Sequence, residues 1–295
     1  MYHRFGETKY PSTNITVEQL ESHLNYLVEQ NYRFIQAGDL LDPEQQKEKT
    51  ITVTIDDAYL SFYEVGLPIF EKYQVPVTLF LNTENVGGFN YMSWDQLRDS
   101  LRRGVEIQNH SHTHSSFATL DEEAIMSEIE TSQNLIFTNL NITPNLFAFP
   151  FGESSDLAQK IIERHFDAAF GQHSGAFSMN YQYYIPRFPL NENYGSLERL
   201  RDISKSLPFE AAQLQPSNPT LNPPSTRFVL DVEGGVNGVN CFITDFQGSI
   251  EKKMTVLENK LLIELSRTPV SGRLRFNCTK VDNDIFWYGH QYFLN

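Results

Sequence analysis

A chain of 295 residues, 40% of them hydrophobic, is long enough for one large domain of 200 or so residues and a small one. Its 37 Asp and Glu against 23 Lys and Arg give a net charge of -14. That argues against nucleic acid as a partner, because phosphate binding needs a basic face, and a neutral or cationic substrate is easier to reconcile. No apolar run approaches the roughly 20 residues that span a bilayer, so no transmembrane segment is expected.

The chain opens on MYHRFG, which reads as the tail of a strand; no secretory signal precedes it. A signal or anchor removed upstream is the expectation, with a periplasmic or secreted location and the cytoplasm as the alternative. Helical stretches follow at about Val17 to Gln30, where Thr16 and Gln19 suggest a capping box, at Ser61 to Tyr73, and at Trp94 to Arg102 behind Ser93. Two more cover about Asp121 to Asn139 and Ser155 to His165. Between them lie short apolar runs: ITVTI, VTLFL from Val77, VEI from Val105, LFAF from Leu146 and AAF from Ala168. Regular alternation of strand and helix predicts an α/β fold with a parallel sheet and helices outside. It leaves open whether the sheet is a closed barrel or doubly wound.

The texture changes near Leu207. The segment PFEAAQLQPSNPTLNPPST, residues 208–226, holds five prolines in 19 residues and reads as an irregular linker or strap. Alternating runs then follow, RFVLDV, VNCFITDF, KKMTVLENKLLIELS, GRLRFNCTKV and DIFWYGHQYFL, which predict a small β-sandwich. The expected domains are thus 1–207, a linker over 208–226, and an all-β domain over 227–295. The only two cysteines, Cys241 and Cys278, form one bridge in an oxidising compartment or remain two buried thiols; the bridge is preferred.

Chemistry concentrates at strand ends. Asp56 and Asp57 close the ITVTI run, where a buried strand has no place for them, so they belong at its mouth. Successive residues of an extended chain point apart, so the two carboxylates should differ in role. One can ligate a metal while the other removes a proton from its water. The run VEIQNHSHTHSSF carries His110, His112 and His114. Two imidazoles four apart beyond a strand end, with Asp57 from another, make an N2O set suited to Zn²⁺ with an open position. His112 is then the outsider, a structural site using all three being the alternative.

The order TIDDAY, NHSHTH and FAFPFGE resembles the polysaccharide deacetylases of carbohydrate esterase family 4, the NodB homology domain. The resemblance covers about Met1 to Leu207. It implies a distorted (β/α) barrel and hydrolysis of an acetyl group, N- or O-linked, on a polysaccharide or oligosaccharide by metal-activated water. It also implies Asp56 as the general base and Asp57, His110 and His114 as ligands of a divalent metal, most often zinc. An acetylated amino-sugar polymer or oligomer is the implied substrate. Where the family's third motif commonly carries an arginine, this chain reads Ala148, Phe149, Pro150, Phe151, so Arg187 in YIPRFPL is the expected replacement beside the base. Phe149 and Phe151 are expected to wall a groove for the acetyl methyl or a sugar face, with Tyr59 as a further substrate contact. The family's late L-x-H motif is missing between Ile185 and Pro208. This resembles the biofilm poly-N-acetylglucosamine deacetylase branch, in which the motif sits at the start of the domain, and MYH fits it. His3 is therefore the expected general acid, with His173 and His290 as competitors. Two other readings are a sugar-binding or scaffold protein that has lost turnover, and a related C–N hydrolase acting on a small amide.

Overall fold

The computed structural model describes residues 1–209 and 212–294. The first part alternates as expected. In chain order it runs β1 (Arg4–Phe5), β2 (Asn14–Ile15), α1 (Val17–Glu29), β3 (Arg33–Ile35), β4 (Thr50–Asp56), α2 (Leu67–Lys72), β5 (Val77–Leu81), α3 (Trp94–Arg102) and β6 (Glu106–Asn109). It continues with α4 (Glu122–Leu140), β7 (Leu146–Ala148), α5 (Asp156–Ile162), β8 (Ala168–Phe170) and α6 (Leu197–Ser204). Two helices start on capping boxes, Thr16 with Gln19 and Ser93 with Gln96, each pair satisfying backbone N–H groups that the first turn leaves free. The helix expected from Ser61 instead begins as a π-helical turn over Phe62–Gly66 before α2.

Strands β3 to β8 form one parallel sheet in strict sequential order. A doubly wound sheet reverses its strand order at a switch point; this one does not, and it curls as a distorted, incomplete barrel. Two irregular segments flank its ends. Tyr2 bridges to Ile55 of β4, and Ile185 bridges to Phe170 of β8. Leu190 N–H donates to the Met1 carbonyl, so the chain start and residues 185–190 lie together in the gap between β4 and β8. Fully buried Leu79, Ile55, Phe62 and Phe70 anchor the main core, and a second cluster around Phe117, Phe147 and Phe149 packs α4 and α5 onto the sheet.

The remainder is all β: β9 (Ala212–Gln215), β10 (Thr220–Leu221), β11 (Arg227–Val232), β12 (Asn240–Asp245), β13 (Gly248–Ser249), β14 (Lys252–Leu257), β15 (Lys260–Leu265), β16 (Gly272–Val281) and β17 (Ile285–Leu294). One sheet runs β14-β15-β11-β9 and the other β10-β17-β16-β12-β13, with Phe228, Phe276 and Tyr292 among the buried side chains between them. Here the reading of 208–226 as irregular needs correction. β9 pairs with β11 and β10 with β17, each at a sheet edge. The prolines at 208, 216, 219, 223 and 224 all fall outside these two strands, as a residue without an N–H must when its neighbours pair. Glu210 and Ala211 of that segment lie outside the described residues. Cys241 and Cys278 face each other across β12 and β16 and are joined by a disulfide.

The two parts interlock. Leu207 donates to the Ile285 carbonyl and accepts from Trp287 N–H, and the Trp287 ring meets Phe188 edge-on at 5.1 Å. Gly289 is required here, because a Cβ at that position would lie 1.6 Å from the Ser174 carbonyl oxygen. No helix among the described residues is long and apolar enough to cross a membrane.

Candidate active site and metal centre

Asp56 is the last residue of β4, and the backbone turns immediately after it. Asp57 and Ala58 both have positive φ, 76° and 55°. This left-handed step, which Asp tolerates better than most residues, sends the neighbouring carboxylates in different directions.

Asp56 faces Arg187. The guanidinium donates from Nη1 to Oδ1 at 2.7 Å and from Nη2 to Oδ2 at 2.8 Å, both side chains being buried. The arginine is itself held by the Gly171 carbonyl at 2.8 Å and Thr54 Oγ1 at 3.2 Å, and its cation lies over the Phe80 ring. Burial alone would push the Asp56 carboxyl up, but the paired guanidinium outweighs it and holds the carboxyl below its ordinary value. The buried charge is acceptable because both of its oxygens are paired with a fork of matching geometry.

Asp57 faces the histidine loop. Its Oδ1 lies 3.4 Å from His110 Nε2 and 3.3 Å from His114 Nε2, and it accepts from Asn82 Nδ2 at 3.1 Å. His110 Nδ1 lies 2.7 Å from the Ala148 carbonyl, which sets a proton on Nδ1 and turns Nε2 toward Asp57. The ligand atoms of Asp57, His110 and His114 all lie within 4.8 Å of one another. Two imidazole nitrogens and a carboxylate oxygen at that spacing fit a divalent cation. His112 turns away, its Nδ1 lying 2.9 Å from Thr83 Oγ1.

Sequence reasoning missed the groups that hold this loop. Buried Glu128 on α4 accepts from the backbone N–H of His112 at 2.9 Å and of Thr113 at 2.8 Å, and from Thr113 Oγ1 at 2.6 Å. Asn109 Oδ1 accepts from Ser111 N–H at 2.7 Å. A carboxylate on the buried stripe of an amphipathic helix was the available signal for Glu128; nothing distinguished Asn109 or Asn82.

His3 lies at the same rim, half-buried, with Nε2 3.2 Å from Gln172 Nε2. Burial pulls its pKa down while the Asp57 and Asp56 carboxylates pull it up, burial prevailing. Its competitors look elsewhere. His173 is buried against Tyr184 at 4.5 Å and faces His290 at 6.3 Å, and burial holds it well below its usual value; His290 is likewise lowered, to about 4. Both line a cavity of about 760 Å³ between the two parts of the molecule, whose lining includes neither Asp56, Asp57, His110 nor His114. The convergence of Asp57, His110 and His114, rather than that cavity, marks the candidate centre.

Of the aromatic residues expected at a groove, Phe151 is 39% exposed and packs edge-on against the His114 ring at 4.4 Å. Tyr59 is half-buried beneath the Arg4 guanidinium at 3.4 Å and against Tyr91 at 4.8 Å. Phe149 does not wall a groove. It has no exposed surface and packs against Phe117, Phe147 and Tyr184, because the turn after β7 directs it inward and Phe151 outward.

Comparison with known proteins agrees with this geometry. Residues 44–165 match the family model for polysaccharide deacetylase. A putative polysaccharide deacetylase, YxkH of Bacillus subtilis, is 21% identical over 168 residues, which cover 56% of this chain and 60% of that protein; the chain thus spans less than two thirds of that relative. The poly-beta-1,6-N-acetyl-D-glucosamine N-deacetylase of Staphylococcus aureus is 23% identical over 199 residues, covering 61% and 69% respectively. Among solved structures, the Streptococcus pyogenes deacetylase PplD superposes with a TM-score of 0.63 at 21% identity, over 69% of this chain and 96% of that one. IcaB from Ammonifex degensii does so with a TM-score of 0.58 at 18% identity, over 70% and 95%. Residues 44–165 thus carry the polysaccharide deacetylase family model, and the sequentially wound parallel sheet around them is similar in fold to PplD and IcaB.

Proposed function

We propose that this protein hydrolyses acetyl groups from a polysaccharide, with the N-acetyl groups of a β-1,6-linked N-acetylglucosamine polymer as the favoured substrate and zinc as the metal. The observation that carries this reading is that two differently equipped carboxylates meet at one sheet rim, Asp56 locked to Arg187 and Asp57 beside His110 and His114. A divalent ion held by the latter three would supply positive charge that polarises the scissile carbonyl and acidifies a water. Asp56, kept ionised and aimed by Arg187, accepts the proton of the attacking water. His3 delivers a proton to the departing nitrogen, which is otherwise a very poor leaving group. Phe151 bounds the acetyl side, and Tyr59 the sugar side.

A non-catalytic reading drew on the missing arginine of the third motif. The bidentate Arg187–Asp56 pair supplies that function from another segment, and a pure binding module has no use for a buried, oriented base. The disulfide supports a secreted or periplasmic location, where thiols are oxidised.

The test is acetate release from β-1,6-linked N-acetylglucosamine oligomers and from acetylated xylose oligomers, before and after chelation. Release from the former, abolished by chelator and restored by Zn²⁺, is expected. Chelator-insensitive release, or none from any acetylated saccharide, would overturn the reading.

A further inference from the structure

The turn after β7 carries two structural oddities. Phe151 adopts φ 58°, ψ 3°, a left-handed conformation that a bulky aromatic rarely takes and that persists only where its surroundings over-determine it. Gly152 follows at φ 65°, and a Cβ there would lie 2.4 Å from Gln172 N. This turn therefore touches both sides of the reactive centre. The Phe151 ring bears on His114, and the Gly152 backbone presses on Gln172, whose side chain reaches His3.

The turn is held from its own side by Tyr184, whose hydroxyl donates to the Gly152 carbonyl at 2.7 Å, and by the Gly152 N–H to the Phe149 carbonyl at 2.8 Å; the rest of its support comes from the all-β part. Gln291 of β17, 1% exposed, donates Nε2 to the carbonyls of Phe151 at 3.2 Å and Gly152 at 3.0 Å. Arg275 Nε donates to Gln291 Oε1 at 3.0 Å, which fixes the amide so that its NH₂ faces the turn. Arg273 on β16 reaches Glu153 at 3.5 Å, and Thr220 Oγ1 on β10 donates to the Ser154 carbonyl at 3.2 Å. Three strands of one sheet thus grip four consecutive residues.

We infer that the carboxyl-terminal β-domain is a positioning element of the reactive centre: Gln291, oriented by Arg275, clamps the strained Phe151–Gly152 turn and through the Phe151 ring sets the orientation of His114. The turn's unusual backbone gives the clamp its purpose, since an unheld Phe at positive φ relaxes toward an ordinary conformation and takes its ring off the imidazole. The significance of His114 as a ligand rests on the function proposed above, so the test is chosen to read His114 without turnover or metal.

The ring signals of His114 in ¹⁵N-histidine-labelled, metal-free protein are recorded for the wild type, Gln291→Met, Phe151→Ala and the double variant, with buried His23 as a reporter of the global fold. Gln291→Met keeps the side-chain length and removes only hydrogen bonding. It is expected to shift the His114 ring signals and leave those of His23 in place; in the Phe151→Ala background it should shift His114 little further, because the connecting ring is gone. On a substrate the enzyme turns over, the same variant should lose about tenfold in kcat/KM, the scale of one or two net hydrogen bonds. Should Gln291→Met fail to fold, Gln291→Glu, which keeps an acceptor for Arg275 and lacks the donor, replaces it. Unmoved His114 signals in the single variant, or the same movement with and without Phe151, would overturn the inference. Failure of all saccharide assays alongside a Phe151-dependent His114 shift would count against the proposed function and leave the clamp standing.

Discussion

Asp56 and Asp57 are adjacent in the chain, and one left-handed backbone step gives each carboxylate its own partners. Arg187 pairs with one lone pair on each oxygen of Asp56 and leaves the second free to accept a proton, while Asp57 is the carboxylate that lies beside His110 and His114. Asp56→Asn should therefore retain the metal, by elemental analysis of the purified protein, and lose roughly 10² to 10⁴ in kcat, the range for a positioned acid or base. Asp57→Asn should lose the metal itself; equal loss of metal in both variants would contradict the division. His3 invites a different test, because a general acid matters only where the leaving group needs its proton. His3→Ala should slow acetamide hydrolysis by about 10² or more while an activated phenyl ester, whose leaving group departs as an anion, is cut with a far smaller loss. Equal losses on both would make the His3–Gln172 contact a structural one. Paired carboxylates and the H-x-x-x-H spacing were legible in the sequence because this chemistry demands particular residue types at particular strand ends. Which of two nearby phenylalanines faces the groove was not, because hydrophobicity is the same for the buried Phe149 and the exposed Phe151; the left-handed turn that separates them depends on tertiary clamps.

At the scale of elements, legibility followed length and local signal. α1 and α3 announce themselves by capping boxes and end close to where the pattern stops, while β3, β9 and β10, of three, four and two residues, are too short for any period to register. α6 went unread behind Ser196, since eight residues with two buried positions make a weak stripe. The β-domain strands were legible through alternation, and one of their ends carries a titratable lock. Asp245, closing β12, pairs with Arg267, whose Nη2 donates at 2.7 Å, and accepts backbone N–H groups of Val270 and Gln247 at 3.0 and 2.9 Å. These partners, the guanidinium foremost, depress its pKa to about 2. A depressed carboxyl stabilises the fold above its unfolded value, near 3.9, and the contribution disappears as pH falls through the folded value. The difference in unfolding free energy between wild type and Asp245→Asn, from urea titrations, should be full at pH 5 and shrink to near zero around pH 2. A difference that stays constant over that window would show that the ion pair forms no part of the native-state linkage.

The whole molecule poses the question of whether its two cores, each with its own set of buried residues, behave as one cooperative unit. The contacts between them are backbone pairings and buried hydrogen bonds rather than a loose polar surface: Leu207 with Ile285 and Trp287, Gln291 with the Phe151 turn, and Gly289 against Ser174. Opening such a seam exchanges these hydrogen bonds for bonds to water, a net loss on the order of 0.5 to 1.5 kcal/mol each, and uncovers the contact between Phe188 and Trp287. Coupled unfolding is the expected consequence. The chain supplies its own probes in its two tryptophans: Trp94 on α3 lies in the first part, and Trp287 on β17 sits at the seam, its ring against Phe188. The disulfide supplies the perturbation, because it closes a loop with a sequence separation of 37 within the β-domain, and removing it should cost about 3 to 4 kcal/mol by loop-closure entropy. In Trp94→Phe and Trp287→Phe proteins, each with the remaining tryptophan as reporter, a Cys241→Ala/Cys278→Ala background should lower the thermal midpoint by the same amount for both probes. The distant Trp94 would then register the loss of a crosslink it does not touch. A Trp94 midpoint that stays in place while that of Trp287 falls would mean the β-domain melts alone, and in that intermediate the Phe151 turn would be left without its Gln291 clamp at temperatures where the barrel is still folded.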